Sequence, residues 1–195
     1  MDPTGLPEPS IWDSPDFLSP VSFEPLTDRS DESSSPGSIE VHFMLDTHVN
    51  ISDLNPLCVA HLNFREAYAT IDAYRLSSAG CDALSRERDQ IVDLSYGEVD
   101  FLPFCKALQH AASPRAGETF VDLGSGSGRA VVAAAFGFPE LGLCVGVELV
   151  SQLHHAAEQI AAGLTKQKMA PVRFHEADIL THPWDESADI VWMSS

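Results

Sequence analysis

Thr119-Phe120-Val121-Asp122-Leu123-Gly124-Ser125-Gly126-Ser127-Gly128 is the stretch on which the fold turns. A short apolar run ends in three closely spaced glycines, and the alanine-rich segment from Ala130 to Phe138 follows. This reads as strand, glycine turn, helix. Glycines there permit positive φ and let a ligand approach the backbone. The first turn of the helix behind them offers unpaired N–H groups.

Working outward, Leu143-Cys144-Val145-Gly146-Val147 reads as a second buried strand ending at Glu148. Val150, Leu153, Ala157, Ile160, Ala161 and Leu164 form one helical stripe, Pro171 to Phe174 a third strand, and Ala188 to Met193 a fourth. Strands alternating with helices mean βαβ units and a parallel sheet, an α/β fold. With strand order 3-2-1-4, the chain from Asp178 to Ala188 must cover roughly 22 Å. Ten extended residues reach about 33 Å, so no full helix is needed there. Upstream, Phe64, Ala67, Tyr68, Ile71 and Tyr74 recur at helical spacing, and Ser77-Ser78-Ala79-Gly80 reads as a break. Cys81 to Val92 reads as a second helix. Val99, Leu102, Cys105 and Leu108 form a third, closed by Ser113 to Gly117.

The chain has 195 residues, 11 basic and 29 acidic, for a net charge of −18. No basic face is available to displace counterions, which excludes a general phosphate-backbone binder of nucleic acid. The balance suits a basic partner. Residues 1–40 hold nine of the acids and one base, Arg29, with most of the prolines. This segment is expected to be a disordered acidic tail. Residues 41–117 read as a helical segment and 118–195 as the cofactor-binding half of an α/β domain. The acidic start and the absence of an apolar stretch near twenty residues predict neither a signal peptide nor a membrane span. Cysteines 58, 81, 105 and 144 match no zinc or redox spacing and read as reduced thiols.

The chemistry concentrates at successive strand ends. Glu148, 24 residues after Gly124, is placed to accept both hydroxyls of a ribose. Asp178 follows the third strand, where an adenine amino group would lie. A nicotinamide fingerprint wants G-x-G-x-x-G. Here the third glycine, Gly128, comes one position early and Arg129 stands in its place. Asp122 would repel a pyrophosphate and tolerate a cation, which favours the sulfonium of S-adenosylmethionine (AdoMet). His154-His155 has no further ligands at metal-binding spacing, so no metal is expected, and the pair reads as surface or half-buried. Trp192, inside a strand, reads as core.

Tyr96-Gly97-Glu98-Val99, then Phe120 to Gly126, then Val145-Gly146-Val147-Glu148-Leu149 resemble the non-SET histone-lysine methyltransferases of the disruptor-of-telomeric-silencing type. Leu153-His154 and Trp184…Ala188-Asp189-Ile190-Val191-Trp192 are similar to protist members of that family. The resemblance covers about residues 60–195. It implies a class I methyltransferase sheet with AdoMet as cofactor. It also implies that a loop at 95–99, with Tyr96, Gly97 and Glu98, closes over the methionine part. Asp122, Gly124, Ser125, Gly126 and Gly128 would line the cofactor cleft, Glu148 would take the ribose, and Asp178 with Ile179 would hold the adenine.

The implied activity is lysine methylation of the core of histone H3, with the nucleosome as partner and the nucleus as location; the cytoplasm is the alternative location. No catalytic base is assigned. The family's asparagine-containing stretch after the fourth strand reads Met193-Ser194-Ser195 here. The family sheet has seven strands and four are counted, so the chain is expected to be incomplete, with cofactor binding separable from turnover. The rival readings are a methyltransferase for another protein or a small molecule, and a non-catalytic AdoMet-binding remnant or acidic docking module.

Overall fold

The computed structural model describes residues 56–89, 94, 96–164 and 168–194. The reading of residues 1–40 as a tail, and the start of the 41–117 segment, lie outside the described residues. Three helices come first: α1 (Pro56–Ala67), α2 (Ala73–Arg88) and α3 (Phe101–Ala112). Then β1 (Thr119–Leu123), α4 (Arg129–Gly137), β2 (Leu143–Glu148), α5 (Ser151–Gly163), β3 (Val172–Glu176) and β4 (Ile190–Trp192) follow. Among the described residues no helix is long and apolar enough to cross a membrane.

The four strands form one parallel sheet in the order β3-β2-β1-β4, an order that the spacing after Asp178 allows. Thr119 pairs with Leu143 and Leu123 with Val147, which sets the ends of β1 and β2 level. The Asp189 carboxylate accepts the Thr119 N–H at 2.8 Å, and the Asp189 N–H returns to the Thr119 carbonyl, so β4 enters in fixed register. Every residue of α4 from Ala130 to Gly137 is buried. It packs on β1 and β2, with α1 and α3 outside it, while α5 covers β3 and α2 lies on α5. Val121, Leu123, Val145 and Val147 form a cluster with Ile179, Trp184 and Ala188. The connection 177–189 is turns without a helix, and the Trp184 indole N–H donates to the Ile179 carbonyl at 2.8 Å.

The N-terminal helices differ from the sequence reading. The apolar period through Phe64, Tyr68 and Tyr74 predicts one helix, but α1 ends at Ala67 and α2 starts at Ala73. Asp72 divides them: its side chain accepts the Arg75 N–H at 3.1 Å, an N-cap that opens a new helix. Ser77 to Gly80 is not a break. It lies inside α2, and Cys81 continues the same helix.

Gly80 is there for contact. A Cβ on it would stand 2.1 Å from Val150 Cγ1 and 2.9 Å from Gln152 Oε1, at the crossing of α2 with the start of α5. The sequence shows a helix-weakening residue; the structure shows the space that its missing Cβ leaves. Val99 precedes α3 and is not part of it. The four cysteines form no disulfide, and Cys105 and Cys144 are buried.

The Gly80 contact gives a prediction of sign. Alanine is the better helix former by about 1 kcal/mol. Val150 is buried and β-branched, so it has little rotamer freedom to move aside. Gly80→Ala is therefore expected to be net destabilising, by about 1–3 kcal/mol in urea unfolding. A more stable variant would mean that α2 does not cross α5 this closely.

Candidate functional site

The carboxyl ends of β1, β2 and β3 open onto a cleft of about 450 Å³. Its lining includes Tyr96, Gly97, Gly124, Gly126, Glu148, Asp178 and Ile179, so seven of the expected site residues meet in one cavity. A recess of about 20 Å³, room for roughly one water molecule, adjoins it. This recess is lined by Asp122, Ser125, Arg129 and Trp192, and it shares Tyr96, Gly97 and Gly124 with the cleft. Two more open grooves along α1, α2 and α5, one of them larger at about 800 Å³, contain no strand end and no glycine turn.

The glycine turn is built from the backbone outward. The Gly124 and Ser125 N–H groups both donate to the Val147 carbonyl, at 2.9 and 3.0 Å, which folds the turn across the end of β2. The Gly126 N–H donates to Glu148 Oε2 at 2.6 Å, and the Val150 N–H donates to Oε1 at 2.7 Å. A carboxylate offers about four lone-pair sites. Glu148 thus holds two backbone donors and keeps capacity for two more on the cleft side. A Cβ on Gly126 would stand 2.7 Å from the Tyr96 ring, which lies directly over the turn.

Gly128, expected to line the cleft, does something else. It caps α4 with φ of +82°, and its missing Cβ admits the Phe174 ring and Ala157. The close helix packing assigned to a third glycine is achieved one position early. Glu98 does not line the cleft either. Its Oε1 accepts the Tyr96 hydroxyl at 3.3 Å and its Oε2 lies 3.5 Å from Arg129 Nη1.

Asp122 is 4% exposed. Burial, and secondarily the neighbouring Glu148, push its carboxyl up to about 7. Two acids in one desolvated corner cannot both ionise without cost unless a cation joins them. Burial likewise raises the Tyr96 phenol to about 12, so it stays a hydrogen-bond donor at neutral pH.

Asp178 Oδ1 accepts the Leu180 N–H at 2.9 Å, which shapes the turn beyond β3. Trp192 is half-buried and meets Phe104 edge-on at 5.1 Å. The Trp192 Nε1 and the Ser125 Oγ are buried without a hydrogen-bond partner, so the recess beside Asp122 has unmet polar capacity. His154, expected at the surface or half-buried, is buried at 6% exposure, with Nε2 3.4 Å from Glu158. Sequence reasoning missed Ser77, Arg88, Leu94, Leu149, Val150, Leu153, Leu180 and Ser194, which also line the cleft. The signal for Leu149 was available, since it directly follows the strand-end acid.

Residues 83–179 match the family described as histone methylation protein DOT1, a span running from α2 to the turn after β3. The matched span takes in the glycine turn, Glu148 and Asp178 and covers just under half of the chain. A comparison with characterised proteins returned no match. Among solved structures, the chain is similar to the YcgJ protein of Bacillus subtilis, at 24% identity over 47% of this chain and 37% of that one, with a TM-score of 0.40. It is also similar to a SAM-dependent methyltransferase from Thiobacillus denitrificans in complex with S-adenosyl-L-homocysteine. There the identity is 25% over 47% and 36% of the two chains, with a TM-score of 0.36. A coclaurine N-methyltransferase bound to N-methylheliamine and SAH gives 15% identity over 72% and 49%, with a TM-score of 0.41. The chain thus spans about half or less of the length of these structures.

Asp122 generates a pH test. Its folded value of about 7 lies above its ordinary 3.8. The folded state therefore retains a proton that the unfolded chain releases, and stability falls as pH rises from about 4 through 7. Asp122→Asn mimics the protonated form. Its advantage over the natural chain is expected to be near zero below pH 4, to grow through neutrality and to level off above pH 8 at about 2–4 kcal/mol. Urea unfolding of both proteins from pH 4 to 9 measures this difference. A difference constant with pH would show that Asp122 is ionised throughout.

Proposed function

We propose that this chain supplies the cofactor-binding part of an AdoMet-dependent histone-lysine methyltransferase acting on the core of histone H3 in the nucleus. The observation that carries the reading is the acidic cleft itself. Glu148, Asp122 and the glycine turn meet at the ends of β1 and β2, within the segment that matches the DOT1 family.

The residues present fit AdoMet. Glu148 has two free lone-pair sites for the ribose hydroxyls. Asp178 and Ile179 form the far wall, suited to the adenine amino group and the flat ring. Asp122, pressed upward by burial, gains an ionised state when a cation enters its corner. Ser125 Oγ and Trp192 Nε1 each have unused hydrogen-bonding capacity. A dinucleotide pyrophosphate would instead face two acids.

When bound, AdoMet supplies an electrophilic methyl group on a sulfonium centre. The chain's own part is to bind, orient and exclude water. Glu148 fixes the position along the strand ends. Tyr96, seated on Gly126 with its proton retained, covers the glycine turn on one side. An in-line transfer to a neutral amine gains mainly from proximity and desolvation, so no strong base is demanded. A histone is basic, and a chain of net charge −18 attracts it over distance and repels nucleic acid.

Calorimetry with AdoMet and with NAD on the same preparation tests the cofactor. AdoMet is expected to bind and NAD not; the reverse overturns the reading. Glu148→Ala is expected to weaken AdoMet about ten- to a hundredfold. The variant also leaves the Gly126 and Val150 N–H groups without acceptors, costing about 1–3 kcal/mol of fold stability. Glu148→Gln, which keeps one acceptor oxygen, is expected to lose less of both. A radiolabelled-methyl assay on recombinant nucleosomes tests the substrate. Label on H3 lysine supports it, and AdoMet binding with no histone label leaves only the cofactor-binding role.

A further inference from the structure

Arg129 is the first residue of α4, at the position where a dinucleotide fingerprint has its third glycine. Its side chain is 20% exposed and makes contacts with two separate pieces of chain. Nη1 lies 3.5 Å from Glu98 Oε2, and Nε donates to the Val99 carbonyl at 3.3 Å. The guanidinium carbon stands over the Phe64 ring at 5.0 Å and the Tyr68 ring at 4.8 Å. Around it the bonds close on themselves. The Tyr68 hydroxyl donates to the Ser127 carbonyl at 3.2 Å. The Tyr96 hydroxyl donates to Glu98 Oε1, and it lies 3.1 Å from the Ser127 hydroxyl. The Tyr96 and Ser127 side chains and the Glu98 carboxylate are thus held in one network with Arg129 and the end of α1.

Among the described residues, no backbone hydrogen bond ties 96–99 to a strand, and no sheet or helix includes them. Side chains therefore carry the attachment of this segment. A planar guanidinium suits such a position, because it can pair with a carboxylate, donate to a carbonyl and stack on two aromatic faces at once, which a lysine cannot.

We infer that Arg129 is a positioning residue: it fixes Tyr96 over the glycine turn by holding Glu98 and Val99 against Phe64 and Tyr68, so that the cleft is formed before its ligand arrives. The inference rests on the AdoMet reading only for the identity of that ligand. The early third glycine then has a consequence, since it frees the first position of α4 for a long cationic side chain.

The test uses the full chain with Arg129→Gln, Arg129→Lys, Glu98→Gln and the Arg129→Gln/Glu98→Gln double variant. Chymotryptic cleavage after Tyr96, read site by site by mass spectrometry, reports how often this segment opens. Cleavage there is expected to rise about tenfold or more in Arg129→Gln and Glu98→Gln, with cleavage at other sites and the unfolding midpoint little changed. The double variant should exceed neither single variant much, because one shared interaction is lost only once. Arg129→Lys should fall between. S-adenosylhomocysteine affinity, by calorimetry, should fall about tenfold in the same order.

Wild-type cleavage rates after Tyr96 in both folded single variants, or fully additive effects in the double variant, would overturn the inference. If Arg129→Gln fails to fold, Glu98→Gln decides, since its side chain is partly exposed and its removal leaves α4 intact. Failure of the natural chain to bind S-adenosylhomocysteine would count against the AdoMet reading, while the cleavage result still decides the role of Arg129.

Discussion

The Glu148 carboxylate joins two turns that belong to different strand ends. One oxygen takes the Gly126 N–H from the turn after β1, and the other takes the Val150 N–H at the entry to α5. Both are charge-assisted bonds in a buried place, where a carboxylate left unpaired would be costly. This single group sets the distance between the glycine turn and α5. The cleft is the space left between them. Because Val150 also receives α2 through Gly80, the same carboxylate orients the helical layer that forms the cleft's other side.

A buried anion at this point constrains its surroundings. Asp122 lies close enough to feel Glu148, and burial adds to the penalty on its ionised form. An apolar or neutral neighbour would have cost less. The arrangement gains when a positive centre occupies the corner, because the cation then offsets both the desolvation and the mutual repulsion. On the proposed reading, the same two side chains favour a sulfonium over a pyrophosphate.

The strands and the glycine turn are legible in the sequence because they are local. Phe120 to Leu123 and Cys144 to Val147 are buried on both faces, so apart from Asp122 they appear as apolar runs, and a parallel sheet under helices leaves that trace. The acids at 148 and 178 are legible as residues standing just beyond such runs. The helices α1 and α2 escape a sequence reading where contacts at long range decide. Gly80 looks like a break until Val150, seventy residues on, is placed against it. Tyr68 continues an apolar period in sequence, yet its hydroxyl reaches the Ser127 carbonyl and its ring serves Arg129. His154 sits beside an amphipathic stripe on the side that sequence assigns to solvent, but its ring is covered.

Gly128 and Arg129 show how one residue of spacing changes what a motif can do. Packing of the first helix on the sheet requires a missing Cβ near Phe174 and Ala157, and Gly128 provides it while also capping α4 in the left-handed region. In a turn with one more residue before the last glycine, that glycine would occupy the helix start, and the start could carry no side chain. Here the helix start is free, and it lies beside the aromatic pair of α1 and the acid of the 96–99 segment. A cation at that point holds the segment over the cleft through Glu98, while burial and Glu148 still press the Asp122 carboxyl upward. The guanidinium pairs with Glu98, and on the proposed reading a cationic ligand offsets the cost of the inner acids.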